Sequence, residues 1–353
     1  MKEIGLGIIG YGGMGRYHPN FFNNDQVPGL SVAGIFDTDP ERMELAAADG
    51  YHCFSSREAL LSCDAVDVVL IAIPNDMHKE NAEAALNAGK HVILEKPATM
   101  NAAEFEGLTA LSKQVGRLLT VHQNRRQDAD YLTVKRLYDE GTLGKPFAIE
   151  SRVQSSNGIP SGWRCVKRNG GGMLLDWGVH LLDQLLMMID APVHSVYCHM
   201  HLTSGADCDD GFHLNVLFGN GVLATIDIET RYFISLPRWL ISGTEGAAVV
   251  EDWDLHGRVV TSRQDGVTFE PEIVYTAAGP TKTMAPRRQE TLIEQPLPKV
   301  TSDPPAFYRN LAAVIRGEQK ALTVQPDQVL RVLKVMDAAF VSFEQGQTVI
   351  LDI

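Results

Sequence analysis

Asp176 and His180 stand one helical turn apart in "GGGMLLDWGVHLLD" (170–183), a segment that runs on into "QLLMMI" with apolar residues on nearly every side. A helix that is apolar all round is buried. A buried carboxylate and imidazole need partners or a task, because stranding a polar group in an apolar site costs roughly 1–3 kcal/mol. Residues four apart share a helix face, so the two can act on one spot, the imidazole as a proton acceptor near neutral pH and the carboxylate beside it. On local grounds a satisfied core pair serves equally well. A pair of metal ligands is a third reading, but nothing nearby supplies an obvious third ligand.

A second constellation opens the chain. "GLGIIGYGGMG" places Gly10, Gly12 and Gly15 as G-x-G-x-x-G directly after an apolar strand-like run. In that context the first glycine permits a tight turn, the second lets backbone approach a pyrophosphate, and the third allows close packing of helix on strand. Tyr11, Gly13 and Met14 fill the same turn and lie against the cofactor in this reading. Asp37 ends the second strand, 22 residues after Gly15. An acid there accepts hydrogen bonds from a ribose diol and repels a 2′-phosphate, which favours NAD over NADP. Pro19 falls beyond the first turn of the following helix, which should therefore be short or kinked.

"AIPNDMHKE" (72–80) and "EKP" (95–97) follow the third and fourth strands, and with the Asp-x-x-x-His of 176–180 they resemble the Gfo/Idh/MocA family of glucose-fructose oxidoreductase-like and inositol dehydrogenase-like proteins. The resemblance runs from about residue 4 to 350. It implies that Lys96 is the active-site lysine, that Asp176 and His180 complete the site, and that Pro74, Asn75, His78 and Glu95 line the cofactor. Taken alone, Lys96 reads as a solvated lysine after a strand and His78 as a surface histidine at a helix start. "VHQNRRQDADYLTVKRL" departs from the family pattern, with His122 and Gln123 in place of a glycine and an aromatic. The resemblance puts Asn124 near the nicotinamide and lets Arg125 and Arg126 face substrate, together with Lys96, Asp176 and His180. Trp163 and Arg164 line the nicotinamide side. The implied activity is oxidation of a secondary alcohol of a sugar, cyclitol or glycoside, with His180 as base, Lys96 on the oxygen and Asp176 orienting His180. Glycines 170–172 would then bring the chain close to the cofactor. Redox-assisted glycoside cleavage with tightly held NAD is an alternative, and a non-catalytic dinucleotide-sensing regulator is another. Retention of Lys96, Asp176 and His180 together argues against the regulator.

The elements that must position these residues can be read from hydrophobic period. Runs at 4–9, 30–37, 66–73, 91–96 and 117–121 alternate with helical segments that end at glycine. That is the pattern of a doubly wound parallel sheet, an N-terminal Rossmann domain over residues 1–122. Residues 123–353 begin with a helix near 129–140 and turn to consecutive strands, implying an α+β domain with a large open, mostly antiparallel sheet, covered by helices on one face. The segment 173–189 is its one long helix. Prolines 280, 286, 296, 298, 304 and 305 mark 276–305 as a connection, and a last helix over 326–344 is placed to pack back on the first domain. The free sheet face implies a homodimer or homotetramer. A net charge of −13 argues against nucleic acid and anionic membranes as partners. Five scattered cysteines without CxxC suit a reducing, cytoplasmic setting. Cys198, His199, His201 and Cys208 lack the paired spacing of a zinc site and read as exposed strand and loop residues, so no metal is expected. Asp209 and Asp210 read as turn residues.

Overall fold

The computed structural model describes residues 3–22, 26–263, 272–282 and 287–353. Five strands, β1 (Ile4–Ile9), β2 (Leu30–Phe36), β3 (Val68–Ile71), β4 (His91–Leu94) and β5 (Leu119–Val121), form a parallel sheet in the order β2-β1-β3-β4-β5. Between them run α1 (Gly13–Tyr17), α2 (Pro40–Ala48), α3 (Arg57–Ser62), α4 (His78–Asn87) and α5 (Ala102–Val115). The sequence reading missed α3, although Ser56 caps it by accepting from Ala59 N. Helices α2, α4 and α5 stop at Gly50, Gly89 and Gly116, all with positive φ, the left-handed ending that glycine adopts without strain. α1 gives way at once to a 3-10 turn over His18–Phe21 that contains Pro19, as a residue without an N–H dictates.

The second sheet has nine strands. In chain order they are β6 (Pro146–Gln154), β7 (Val193–His201), β8 (Gly211–Phe218), β9 (Leu223–Glu229), β10 (Trp239–Gly243), β11 (Gly246–Val250) and β12 (Gly257–Ser262); after a separate hairpin of β13 (Val274–Thr276) and β14 (Gly279–Thr281) come β15 (Leu292–Pro296) and β16 (Val349–Ile350). Their order is β15-β12-β11-β10-β6-β9-β8-β7-β16, antiparallel throughout except for the β6/β9 pair. Helices α6 (Ala129–Asp139), α7 (Val179–Met188) and α9 (Pro326–Gln345) cover one face, where Phe212, Leu214, Val216 and Phe218 of β8 are buried. α9 also reaches the first domain, packing on α5 and β5.

Two features depart from expectation. α8 (Ala306–Ile315), unassigned from sequence, lays Tyr308, Leu311 and Ala312 against Ile4, Leu6 and Ile8 and so covers one face of the parallel sheet. The supposed connection at 276–305 holds the hairpin and the edge strand β15, which ends at Pro296; Pro286 lies outside the described residues. No described helix is long and apolar enough to cross a membrane.

Candidate active site

The glycine turn behaves as its spacing demands. Gly10 has φ +94°, and a Cβ on Gly15 would fall 1.9 Å from the Gly10 carbonyl oxygen, so α1 can start against β1 only with glycine at both places. Gly12 and Gly13 face open space: nothing stands within 4 Å of a Cβ on Gly13, and only Arg42 approaches one on Gly12. They form one wall of a cavity of about 410 Å³ whose other walls are Met14, Arg42, Pro74, Asn75, Glu95, Lys96, Trp163, Arg164 and Asp176. Beside it a wider hollow of about 620 Å³ is lined by Tyr11, Arg16, Tyr17 and Arg42. Asp37 is buried and accepts from the backbone N–H groups of Tyr11 (2.7 Å) and Asp39 (2.9 Å). Bare backbone for a pyrophosphate and a fixed carboxylate for a ribose fit a nicotinamide dinucleotide.

Lys96 and Asp176 meet at the inner end of this cleft. Lys96 Nζ donates to Asp176 Oδ1 at 2.9 Å and to the Asp176 backbone carbonyl at 2.8 Å. That double contact depends on the local helix. Residues Leu174–Gly178 form a π-helical turn, with Val179 N–H reaching back to Leu174 O, where a regular helix was expected. Such bulges redirect backbone carbonyls and recur at functional sites. Arg164 Nε stands 3.5 Å from Asp176 Oδ2. Burial pushes the Asp176 carboxyl up, but Lys96 and then Arg164 outweigh it and hold the group below the usual carboxylate range.

His180 is 4% exposed, its ring edge-on to Trp177. Among the described residues its Nδ1 has no hydrogen-bond partner. Burial, then the charges of Lys96 and Arg125, push its pKa well below that of a free imidazole. The expected link from Asp176 to His180 is not made: the carboxylate is turned to Lys96 and Arg164 instead.

Further expectations are corrected by geometry. His78 does not line the cofactor cleft: it is wholly buried, with Nδ1 2.9 Å from Pro97 O and Nε2 3.0 Å from Ile73 O, tying the turn after β3 to the turn after β4. Arg126 does not face substrate, because its guanidinium forks onto Asp183 at 2.7 Å on both arms. Arg125 lies over the Trp177 ring at 4.1 Å and bonds Asp128 at 2.8 Å. Asn124 lines a separate cavity of about 330 Å³ together with His122 and Phe307. Glycines 170–172 serve protein contacts rather than the cofactor: added Cβ atoms would meet Asn75 Cβ (2.6 Å), Arg164 O (2.5 Å) and Asp209 Oδ1 (2.2 Å), and one on Gly178 would meet Leu174 and Phe212. Asp209 and Asp210 are buried. Asp209 caps the site helix, accepting from Met173 N and Leu174 N, and burial raises its carboxyl to about 6.

Sequence reasoning missed three groups around the site. Arg42, five residues after Asp37, stands 3.4 Å from both Asp37 and Asp39 on the cofactor side; its place in the first turns of α2 was the available signal. His18 Nε2 and His122 Nδ1 both bond Glu95 Oε1, at 2.8 and 2.9 Å, and Tyr308 bonds the far side of His18. Burial would raise the Glu95 carboxyl, yet these imidazoles hold it well below the usual range. These partners lie 27 to 290 residues apart in sequence, so no local spacing announces them. Trp177, read only as part of an apolar helix, carries Arg125.

Comparison with known proteins agrees with this geometry. The oxidoreductase family described by its NAD-binding Rossmann fold matches residues 4–123, and the GFO/IDH/MocA C-terminal domain matches 131–249. scyllo-Inositol 2-dehydrogenase (NADP(+)) IolW of Bacillus subtilis is 28% identical over 360 residues, covering 100% of this chain and 97% of that protein. 1,5-Anhydro-D-fructose reductase of Ensifer adhaerens is 30% identical over 230 residues, 63% of this chain and 68% of that one. An NAD-binding protein from Listeria innocua superposes with a TM-score of 0.95 at 43% identity, over 99% of this chain and 100% of that one. With both of its family domains matched in order, over residues 4–123 and 131–249, the chain belongs to the Gfo/Idh/MocA family of NAD-binding oxidoreductases.

Proposed function

We propose that the protein is a nicotinamide-dependent dehydrogenase that oxidises a secondary alcohol of a cyclitol, sugar or glycoside, with NAD preferred. The observation that carries this reading is the Lys96–Asp176 pair on the wall of the dinucleotide cleft, with a buried His180 one turn further on whose Nδ1 has no partner among the described residues. Bound dinucleotide supplies the hydride acceptor. Lys96 holds the alcohol oxygen, and its ammonium favours the negative charge that develops there. Asp176 fixes that ammonium through side chain and backbone, and Arg164 shares its carboxylate. His180, neutral because it is buried, takes the hydroxyl proton on its ring. Arg125, laid flat on Trp177, bounds the substrate side. The names of the two curated relatives, a cyclitol dehydrogenase and a sugar reductase, support substrates rich in hydroxyl groups.

Cofactor choice turns on two opposed residues. The Asp37 carboxylate repels a 2′-phosphate, whereas the half-exposed Arg42 guanidinium could swing to meet one, and the Bacillus relative carries NADP(+) in its name. Asp37 is buried and fixed by two backbone donors, so it prevails. The test is a panel of cyclitols, free sugars and glycosides offered with NAD and with NADP, read as appearance of reduced nicotinamide. Steady turnover with a cyclitol or sugar, faster with NAD, is expected. Arg42→Ala should lower efficiency with NADP and spare NAD. No turnover with any member of the panel would overturn the reading, and reduced cofactor that forms once and is never released would favour the redox-assisted alternative.

A further inference from the structure

We propose that the helix-free face of the nine-stranded sheet carries a site for one divalent transition-metal ion, zinc in the first instance, held by His201, His213 and Glu229. Their ligand atoms all lie within 4.8 Å of one another. The strand register builds the hollow. His201 of β7 and Glu229 of β9 flank Gly211 of β8 in one row, and in the next row His213 stands between His199 and Asp227. A Cβ on Gly211 would fall 2.6 Å from Glu229 Oε2, so the missing side chain is what lets the two end residues close over the middle strand.

The donor atoms are set for a cation rather than for one another. His201 Nδ1 is 2.7 Å and His213 Nε2 3.5 Å from Glu229 Oε1. Yet among the described residues Glu229 Oε1, and Asp227 Oδ1 beside it, are buried oxygens that receive no hydrogen bond of acceptable geometry. Glu229 is 9% exposed, so its carboxylate bears a desolvation cost that a bound cation would offset, whereas Asp227, 7% exposed, already has Arg152 Nε 3.8 Å and Gln154 Nε2 3.4 Å from its Oδ2. Tetrahedral zinc with bonds of about 2.0–2.1 Å sets its donors about 3.3 Å apart. One spacing here is already near that, and the other needs to open by about 0.6 Å. His213 Nδ1 faces Asp227 Oδ1 at 3.3 Å, the carboxylate–imidazole–metal relay that orients a ligating ring. Two imidazoles and a carboxylate select zinc and its neighbours over magnesium or calcium.

A second cluster of the same composition shows what a filled network looks like. His18, Glu95 and His122 also gather their donor atoms closely, but there Glu95 Oε1 takes both imidazole hydrogen bonds and Tyr308 occupies the remaining nitrogen of His18. Nothing in it awaits an ion. The zinc reading first weighed for Cys198, His199, His201 and Cys208 fails because Cys198 and Cys208 are both buried while His199 lies exposed, with Cys198 on the helix-covered side of β7. The site instead uses strands neighbouring in space, which the sequence separates.

The test uses the whole protein stripped with EDTA and returned to zinc, read by elemental analysis and by competition with a chromophoric chelator; cobalt in place of zinc reports tetrahedral geometry by its visible spectrum. About one zinc per chain, bound at micromolar concentration or tighter, is expected. Glu229→Gln and His213→Ala should each weaken binding by at least about a hundredfold and Asp227→Asn by about tenfold, with NADH binding retained as proof of an intact fold. Less than about one zinc per ten chains, or unchanged affinity in both Glu229→Gln and His213→Ala, would overturn the proposal.

Discussion

At the scale of residues, the site depends on His180 staying neutral. Burial, Lys96 and Arg125 all disfavour its cation, so its pKa lies well below 6.5. A base must be deprotonated to act, and alcohol oxidation should therefore rise with pH through an apparent pKa below 6.5 and be flat near neutrality as far as this group is concerned. A kcat/KM profile with its rising limb centred above about 6.5 would contradict that. Lys96→Met should bind NAD normally and lose about 100-fold or more in turnover, because the ammonium acts on charge that appears only in the transition state. Near wild-type turnover would remove it from the mechanism. Lys96, Asp176 and His180 were singled out in sequence by short motifs that resemble a family's, since taken alone Lys96 reads as a solvated lysine. Their pairing was not. The i, i+4 spacing pointed Asp176 at His180, whereas a lysine 80 residues away takes the carboxylate. Arg126 misled for the same reason, its partner Asp183 lying 57 residues on.

Elements carry the next set of consequences. The site helix begins where the Asp209 carboxylate accepts from Leu174 N and its backbone carbonyl from Met173 N, and Gly172 passes this carboxylate with φ +110°, leaving no space for a side chain. Gly172→Ala should cost about 2–3 kcal/mol of stability, seen as a lower urea midpoint. A midpoint equal to wild type would mean that the turn relaxes freely. Asp209→Ala removes the cap and should cost about 1–2 kcal/mol. Strand and helix alternation in the first domain was readable because β2, β3 and β4 are each followed by helices, and α2, α4 and α5 stop at Gly50, Gly89 and Gly116. β15 and β16 were not, since short edge strands bury little and show no clear alternation, and β12, paired between β15 and β11, went unread with them. α8 was missed beside a proline-rich stretch, although Phe307, Tyr308 and Leu311 have helical spacing. The π turn has no sequence signature; within it Lys96 bonds the Asp176 carbonyl, and a Cβ on Gly178 would meet Leu174 and Phe212.

On the scale of the whole molecule, buried imidazoles set the response to acid. His18, His78 and His180 all have pKa values lowered by burial. Below pH about 6.5 the unfolded chain takes up these protons and the folded one does not, so stability falls as pH falls, by up to about 1.4 kcal/mol per pH unit for each ring. Asp209 opposes them, because a carboxyl raised to about 6 gains its proton more readily in the folded state. Three rings against one carboxyl leave a net loss. The urea midpoint should drop between pH about 6.5 and 5, and a midpoint constant over that range would show that at least two of these imidazoles are protonated in the fold. The histidines could be counted in the sequence, but their burial comes from contacts distant in the chain, His78 between the turns after β3 and β4 and His18 against Glu95 and Tyr308.

In the proposed reaction His180 takes the proton in a site whose dinucleotide grip does not need it. The most direct test measures NAD affinity and kcat/KM side by side for wild type and His180→Ala on the best substrate of the panel. The account predicts an affinity within about threefold and a kcat/KM lower by about 100-fold or more. A His180→Ala enzyme that keeps wild-type kcat/KM would contradict it and hand the proton to another group.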